Sequence, residues 1–364
     1  MGAPVGSAAA GGAYPRLRPV DVVDARAVPP LGERLRAGAA TGIGSLPHRS
    51  VYDAAAFALR EYDLPAIPTL PRRSPAEGMV AQAIVGIQGI SVGQYGSIAV
   101  DVDRIDPDAP VATDLGNDAY AGIHAFLEVA VARGYEGPVK WQFVGPVTLG
   151  AALTRAGVPA DIAFRVAVAA VRAHVATVAG AVAHALPASP QTVWLDEPWF
   201  GELMHPGFPI APDPAIDMLS GAMAVVERFA TVGVHCCADV DIASLLAAGP
   251  QVLAVPARPQ LAAVAGYLVR FLDRGGRIAW GVVATDGPIL TTGDRSWRQL
   301  SDLWCDLVAR GADPIQLRQC SLVTPHCGLG LHTPVVADRV MQIVREIGRR
   351  IGDQAVASRF ALGA

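Results

Sequence analysis

The chain has 364 residues, 52% of them hydrophobic and 17% charged, enough to bury a large core in one α/β barrel or two smaller domains. A formal net charge of -4 leaves no basic footprint and argues against a nucleic-acid partner. Five cysteines, an odd number, do not make a disulfide framework; they point to a reducing, cytoplasmic setting in which clustered Cys and His serve metal binding or catalysis.

Residues 1–38 are rich in Gly, Ala and Pro and are expected to form a flexible extension. They show no charged region followed by an apolar one, so no secretory signal is expected. Residues 39–364 are expected to form a single domain. Its strand candidates are "ATGIGSL" (40–46), "LPAIPTL" (64–70), "VKWQFVGP" (139–146), "QTVWLDEP" (191–198), "VGVHCC" (232–237), "QVLAVPA" (251–257), "RIAWGVVA" (277–284) and "CSLVTP" (320–325). Segments of helical character lie between most of them, such as 53–62 and 296–311, the latter placing Cys305 in the core. The run 166–186 is apolar but broken by Arg172, His174 and His184, which reads as a buried helix and not a membrane span. Near-continuous apolar strands alternating with helices predict a parallel sheet covered on both faces. Eight units suit a (β/α)8 TIM barrel, with the inserted segment 71–113 folded over its mouth as a lid. A doubly wound sheet is the rival, but no G-x-G-x-x-G follows the first strand.

In this scheme the chemistry-bearing side chains fall just past the C-terminal ends of the strands. Ser45 and His48 follow the first, Asp196 and Glu197 the fourth, and His235 and Cys237 the fifth. Asp286 follows the seventh and Cys327 the eighth. A barrel builds its active site at that end. Residues two apart in an extended segment share a side, so His235 and Cys237 face one point and Cys236 faces away. Cys327, at the end of the last strand, reaches the same point. Imidazole and two thiolates with one vacant position make a catalytic zinc donor set. Cys320 starts the strand that Cys327 ends, roughly 20 Å off at about 3.3 Å per residue, and stays outside.

Together "GIGSLP" (42–47), "GPVTL" (145–149), "LDEP" (195–198), "HCC" (235–237), "WGVVATDGP" (280–288) and "TPHCGL" (324–329) resemble, in order and spacing, the C-terminal catalytic barrel of cobalamin-independent methionine synthase. That family shares a superfamily with uroporphyrinogen decarboxylase and zinc-dependent corrinoid methyltransferases. The resemblance spans residues 40–350. It implies Zn2+ held by His235, Cys237 and Cys327, and a homocysteine-like thiol as methyl acceptor. It also implies Ser45 and Asp196 as holders of the amino-acid end of that acceptor, with Glu77 of "AEGMV" as a lid contact offset by two places. The methyl donor is a corrinoid protein or methyltetrahydrofolate, and neither a membrane nor nucleic acid is a partner.

The chain departs from the family pattern in several places. It has room for one barrel where the full-length synthase has two. Pro256 stands at the place of a glutamate zinc ligand. Asp286 stands at the place of a proton-donating histidine and becomes the candidate catalytic group, a poorer acid near neutrality. Ile98 follows "QYGS" (94–97) where the family has an arginine. These departures favour a methylcorrinoid over folate, whose nitrogen must be protonated to leave. Two other readings stand beside the methyltransferase. One is a tetrapyrrole-acting enzyme of the decarboxylase branch, for which only Arg72 and Arg73 form an adjacent pair. The other is a non-catalytic barrel that binds a thiol or a metal.

Overall fold

The structure is a computed structural model that describes residues 35–361 apart from 94, 95 and 290. Most of the expected N-terminal extension, and Gln94 and Tyr95 of "QYGS", lie outside the described residues. Nine strands are present among the described residues: β1 (Ala39–Ala40), β2 (Ile90–Val92), β3 (Ile98–Val100), β4 (Val139–Val144), β5 (Gln191–Asp196), β6 (Ala230–His235), β7 (Val252–Pro256), β8 (Arg277–Val283) and β9 (Ser321–Pro325). Seven of them form a curled, all-parallel sheet in the order β1-β9-β8-β7-β6-β5-β4, and β2 and β3 pair as an antiparallel hairpin in the 71–113 insertion. Eleven α-helices are found among the described residues.

The closed eight-stranded barrel expected from the sequence is not what forms. The ladder has seven strands, and the segment 64–70 occupies the gap between β1 and β4 without joining it as a strand. It makes isolated parallel bridges, Ala66 with Lys140 and Thr69 with Ser45. Ile67 donates its N–H to Lys140 O at 2.8 Å, and Leu64 donates to Ala40 O at 3.1 Å. Pro65 and Pro68 have no N–H to give, so the segment spans the gap with scattered bonds where a ladder would need continuous ones. Strands β4 to β9 fall within two residues of expectation, because their Val-, Ile- and Leu-rich runs are buried on both faces, whereas the first strand, expected over 40–46, is only the pair Ala39–Ala40.

Alternation along the ladder turns Lys140 and Gln142 of β4, Thr192, Trp194 and Asp196 of β5, and Gly233 and His235 of β6 toward the inside of the curl. A second, inner core of Ala39, Ile43, Trp194, Val252, Ala254, Ala279 and Leu322 fills its lower part. A Cβ on Gly233 would lie 2.6 Å from Trp194 Cδ1, so the indole occupies space that only glycine leaves. Outside, helix Pro334–Ala361 lays Val340, Val344, Ile347 and Ile351 on the sheet in a helical stripe. In helix Asp294–Ala309 the buried stripe is Leu300, Leu303, Trp304 and Leu307. Cys305, expected in the core, falls on the opposite face and is exposed.

Helix Ala160–Ala185 is long and apolar enough by composition to cross a membrane, yet 56% of its most apolar stretch is buried inside the protein. Its His174 fastens the lid insertion. Nε2 bonds Ala83 O at 3.0 Å, and Nδ1 meets Thr113 Oγ1 at 2.9 Å and Tyr120 OH at 3.3 Å. Burial holds His174 at a pKa of about 4, against 6.5 ordinarily. The unfolded chain therefore takes up this proton first, so the stabilisation is intact above about pH 6.5 and is lost as the pH falls toward 4. A His174→Gln variant, which keeps hydrogen bonding without titrating, is expected to lose less thermal stability between pH 7 and pH 4.5 than the parent. Equal losses by calorimetry would remove His174 from the acid response; the other histidines are common to both proteins.

Candidate functional site

Asp196 ends β5 directly opposite His235, which ends β6, and both point inward. His235 is 4% exposed; its Nδ1 donates to Asp196 Oδ1 at 2.8 Å, and its Nε2 lies 3.1 Å from the His326 carbonyl oxygen. Burial works against an imidazolium here, but the Asp196 bond and charge, with Cys327 and the His326 carbonyl, outweigh it and raise the His235 pKa. Gln142 adds a short bond from Nε2 to the same Asp196 oxygen. Both bonds fall on Oδ1.

One residue on, Cys236 points outward and is fully buried, and burial pushes its thiol up to about 12. Cys237 turns back to the mouth, where it is hydrogen-bonded to Cys327. That bond pulls the Cys237 thiol below its ordinary value, against the effect of burial, and it pushes Cys327 well above. Of the two sulfurs Cys237 is therefore the more acidic. Gly281 allows this approach, since a Cβ there would stand 3.1 Å from both His326 Cα and Pro256 Cα.

Ser45 is built into the loop that carries Cys327. Leu329 N–H donates to Ser45 O at 2.9 Å and Gly330 N–H to Ser45 Oγ at 3.3 Å. A Cβ on Gly328 would sit 2.1 Å from Ser45 Oγ. The structure therefore gathers Ser45, Asp196, His235, Cys237 and Cys327 at one end of the curled sheet. His48 lies apart, half-buried beside Phe57.

Two other candidates are held differently. Glu77 is buried, with Oε1 on Arg73 Nε at 2.6 Å and Oε2 accepting from Leu70 N–H at 3.0 Å. Burial raises its pKa against the pull of Arg73, and its visible role is to tie the lid together. Asp286 is exposed in the turn after β8, near enough to His326 to oppose the fall in that histidine's pKa to about 4, which burial and then Arg258 cause. Arg72 and Arg73 are engaged within the protein, Arg72 with His332 O and Arg73 with Glu77 and Asp118.

Sequence reasoning missed three residues. Arg258, two residues past Pro256 at the end of β7, donates to Cys237 O at 3.2 Å and brings a positive charge to the mouth. Lys140 and Gln142 were readable as polar interruptions of the apolar strand "VKWQFV". Glu197 was noticed beside Asp196, but its carboxylate turns the other way. It accepts from Val147 N at 2.9 Å, Thr148 N at 2.7 Å and Thr148 Oγ1 at 2.6 Å, closing the N-terminus of helix Pro146–Arg155. Burial still raises its pKa to about 7. Motifs 145–149 and 195–198 thus meet in one lock.

Among the described residues no group of three or more His, Cys, Asp or Glu side chains is already arranged to enclose a metal. The donor types nonetheless fit one. Two thiols touch, and His235 gives its Nδ1–H to a carboxylate, which is how a metal-binding histidine is commonly oriented. A cavity of about 650 Å³ opens at the opposite end of the sheet, among Thr231, Gln251, Arg270, Arg274 and Arg277. It shares no residue with this cluster.

No protein-family model and no curated relative matches the sequence. Solved structures share the fold. A B12-independent methionine synthase from Shewanella sp. W3-18-1, in complex with selenomethionine, superposes with a TM-score of 0.58 at 13% identity, covering 89% of this chain and 100% of that one. A putative vitamin-B12 independent methionine synthase from Listeria monocytogenes gives 0.51 at 10% identity, over 86% and 96%. At such identities the likeness is one of fold, a methionine-synthase-like α/β architecture spanning nearly the whole of each chain.

Proposed function

We propose that this protein is a zinc-dependent methyltransferase that methylates a thiol, with homocysteine as acceptor and methionine as product. The observation that carries the proposal is the Cys237–Cys327 thiol pair beside a histidine oriented by Asp196. The neighbour solved with selenomethionine supports the choice of acceptor, since that ligand is an analogue of the product.

His235 Nε2 and the sulfurs of Cys237 and Cys327 would hold the metal, which requires His235 to exchange its contact with the His326 carbonyl. Zinc in such a site lowers the pKa of an incoming thiol, so that it is a nucleophilic thiolate at neutral pH. The chain's own residues do the rest. Both bonds to Asp196 fall on Oδ1, leaving Oδ2 for the acceptor's ammonium group. Ser45, fixed by Gly330 N–H and the Leu329 contact, offers its hydroxyl to the carboxylate end. Arg258 adds positive charge beside Cys237. A methylcorrinoid is the preferred donor, since its leaving group needs no proton, and burial and Arg258 lower the pKa of His326 to about 4 and so disfavour its proton-bearing form.

Purified protein should contain close to one zinc per chain by elemental analysis. With homocysteine it should form methionine faster from a methylcorrinoid than from methyltetrahydrofolate. Faster turnover with folate would overturn the donor assignment. Zinc without methylation by either donor would favour a thiol- or metal-binding role, and absence of zinc binding would overturn the proposal.

A further inference from the structure

Lys140 is an unusual side chain for its place. It is 0% exposed inside the curl of the sheet, and no carboxylate touches it. A buried lysine is rarely found without a charged partner. Its Nζ donates to Gly42 O at 2.5 Å and makes a short bond to Gln142 Oε1, and it stands 4.1 Å above the Trp194 ring. Gln142 spends its other end on Asp196 Oδ1, and Asp196 Oδ1 receives His235 Nδ1. The bonds run in one direction, each group donating onward from Lys140 through Gln142 to Asp196. Because Lys140 occupies the Gln142 oxygen, the amide can present only its NH2 to Asp196. Asp196 Oδ1 is thereby held as an acceptor from two sides.

We infer that Lys140 and Gln142 are positioning residues that fix the Asp196 carboxylate, and through it the Nδ1–H of His235, so that Nε2, which lies 3.1 Å from the His326 carbonyl oxygen, is the ring nitrogen left for a metal. The inference deepens the proposed function and rests on it for its consequence in metal affinity. The geometry of the chain of bonds stands apart from it. Burial lowers the Lys140 pKa to about 7, with Asp196 opposing, in keeping with an amine held for its hydrogen bonds in an apolar interior. The same two side chains seat the first-strand loop. Gly42 O takes Lys140, and a Cβ on Gly44 would lie 3.8 Å from Gln142 Cβ, so the device also sets the approach to Ser45.

Lys140→Met and Gln142→Met, which approximate the shapes they replace, provide the test. Zinc affinity is measured by chelator competition, the His235 tautomer by 15N NMR of metal-free protein at a pH where the ring is neutral, and thermal unfolding alongside. Loss of an outer partner of a ligand histidine costs about 10–100-fold in metal affinity. Both variants should show that loss, and the Nδ1–H signal of His235 should become mixed with the Nε2–H form. Lys140→Met leaves the Gly42 and Gln142 oxygens without their donor and is expected to lower stability as well, so the His235 tautomer is the deciding readout. A merely structural lysine would move stability and leave the tautomer alone. Should Lys140→Met fail to fold, Gln142→Met carries the same comparison. If the parent binds no zinc, the proposed function fails while the NMR arm still decides this inference. An unchanged His235 tautomer in the folded variants would overturn it.

Discussion

Cys327→Ser is expected to reduce zinc affinity on the order of 100-fold or more and to abolish measurable methionine formation, while the protein unfolds at nearly the parent's temperature. Removing even an outer partner costs about 10–100-fold, and this change removes a proposed ligand itself. The fold should tolerate it because Cys327 is half-buried in a loop, outside the hydrophobic core. Cys236→Ala is the control. That side chain faces away from the mouth into the outer core, so its loss should cost about 1–2 kcal/mol of stability for the small cavity and no metal. Full zinc retention by Cys327→Ser would remove Cys327 from the site. Equal metal loss from Cys236→Ala and Cys237→Ala would mean that the alternation after β6 runs the other way.

The alternation itself was legible before any coordinates, because His-x-Cys in an extended segment has a single reading: the first and third residues share a side. Strands β4 to β9 were legible for a related reason. Each is a run of Val, Ile, Leu or Trp long enough to be buried on both faces. The segment 64–70 has the same apolar look, and it misleads, since a ladder is made by N–H groups and two of its seven residues are prolines. Cys305 misleads in another way: its helix is amphipathic, and the cysteine sits on the face opposite the buried stripe. The roles of the carboxylates were the least legible. Asp196 and Glu197 are chain neighbours, yet the strand pleat sends one to His235 and the other to a helix terminus. Glu77 has the composition of a lid contact and the surroundings of a structural ion pair, which only the fold reveals.

Gly145→Ala should be among the most damaging single-methyl additions in the protein. Gly145 precedes helix Pro146–Arg155 with an extended backbone that alanine adopts freely, so the penalty is purely one of space. The new Cβ would lie 2.1 Å from Glu197 Oε1. The carboxylate must move, and it then releases the N–H groups of Val147 and Thr148 and the Thr148 hydroxyl, all in a buried place. Overpacking of this kind costs about 1–3 kcal/mol, and each buried donor left unpaired adds about 1–3. A loss of about 3–5 kcal/mol in urea unfolding is therefore expected, well above the ordinary effect of one substitution. Glu197→Ala should cost about 2–4 kcal/mol by leaving the same donors unpaired. The two changes should not add. With the carboxylate gone the methyl has room, and the double variant should fall short of the sum by about 1–3 kcal/mol. Strict additivity would mean that Gly145 and Glu197 are not one lock. Gly145 N–H also donates to Asp196 O at 2.8 Å, so the lock borders the end of β5. In Gly145→Ala protein that remains folded, the Asp196–His235 bond should loosen, and zinc affinity should fall together with stability.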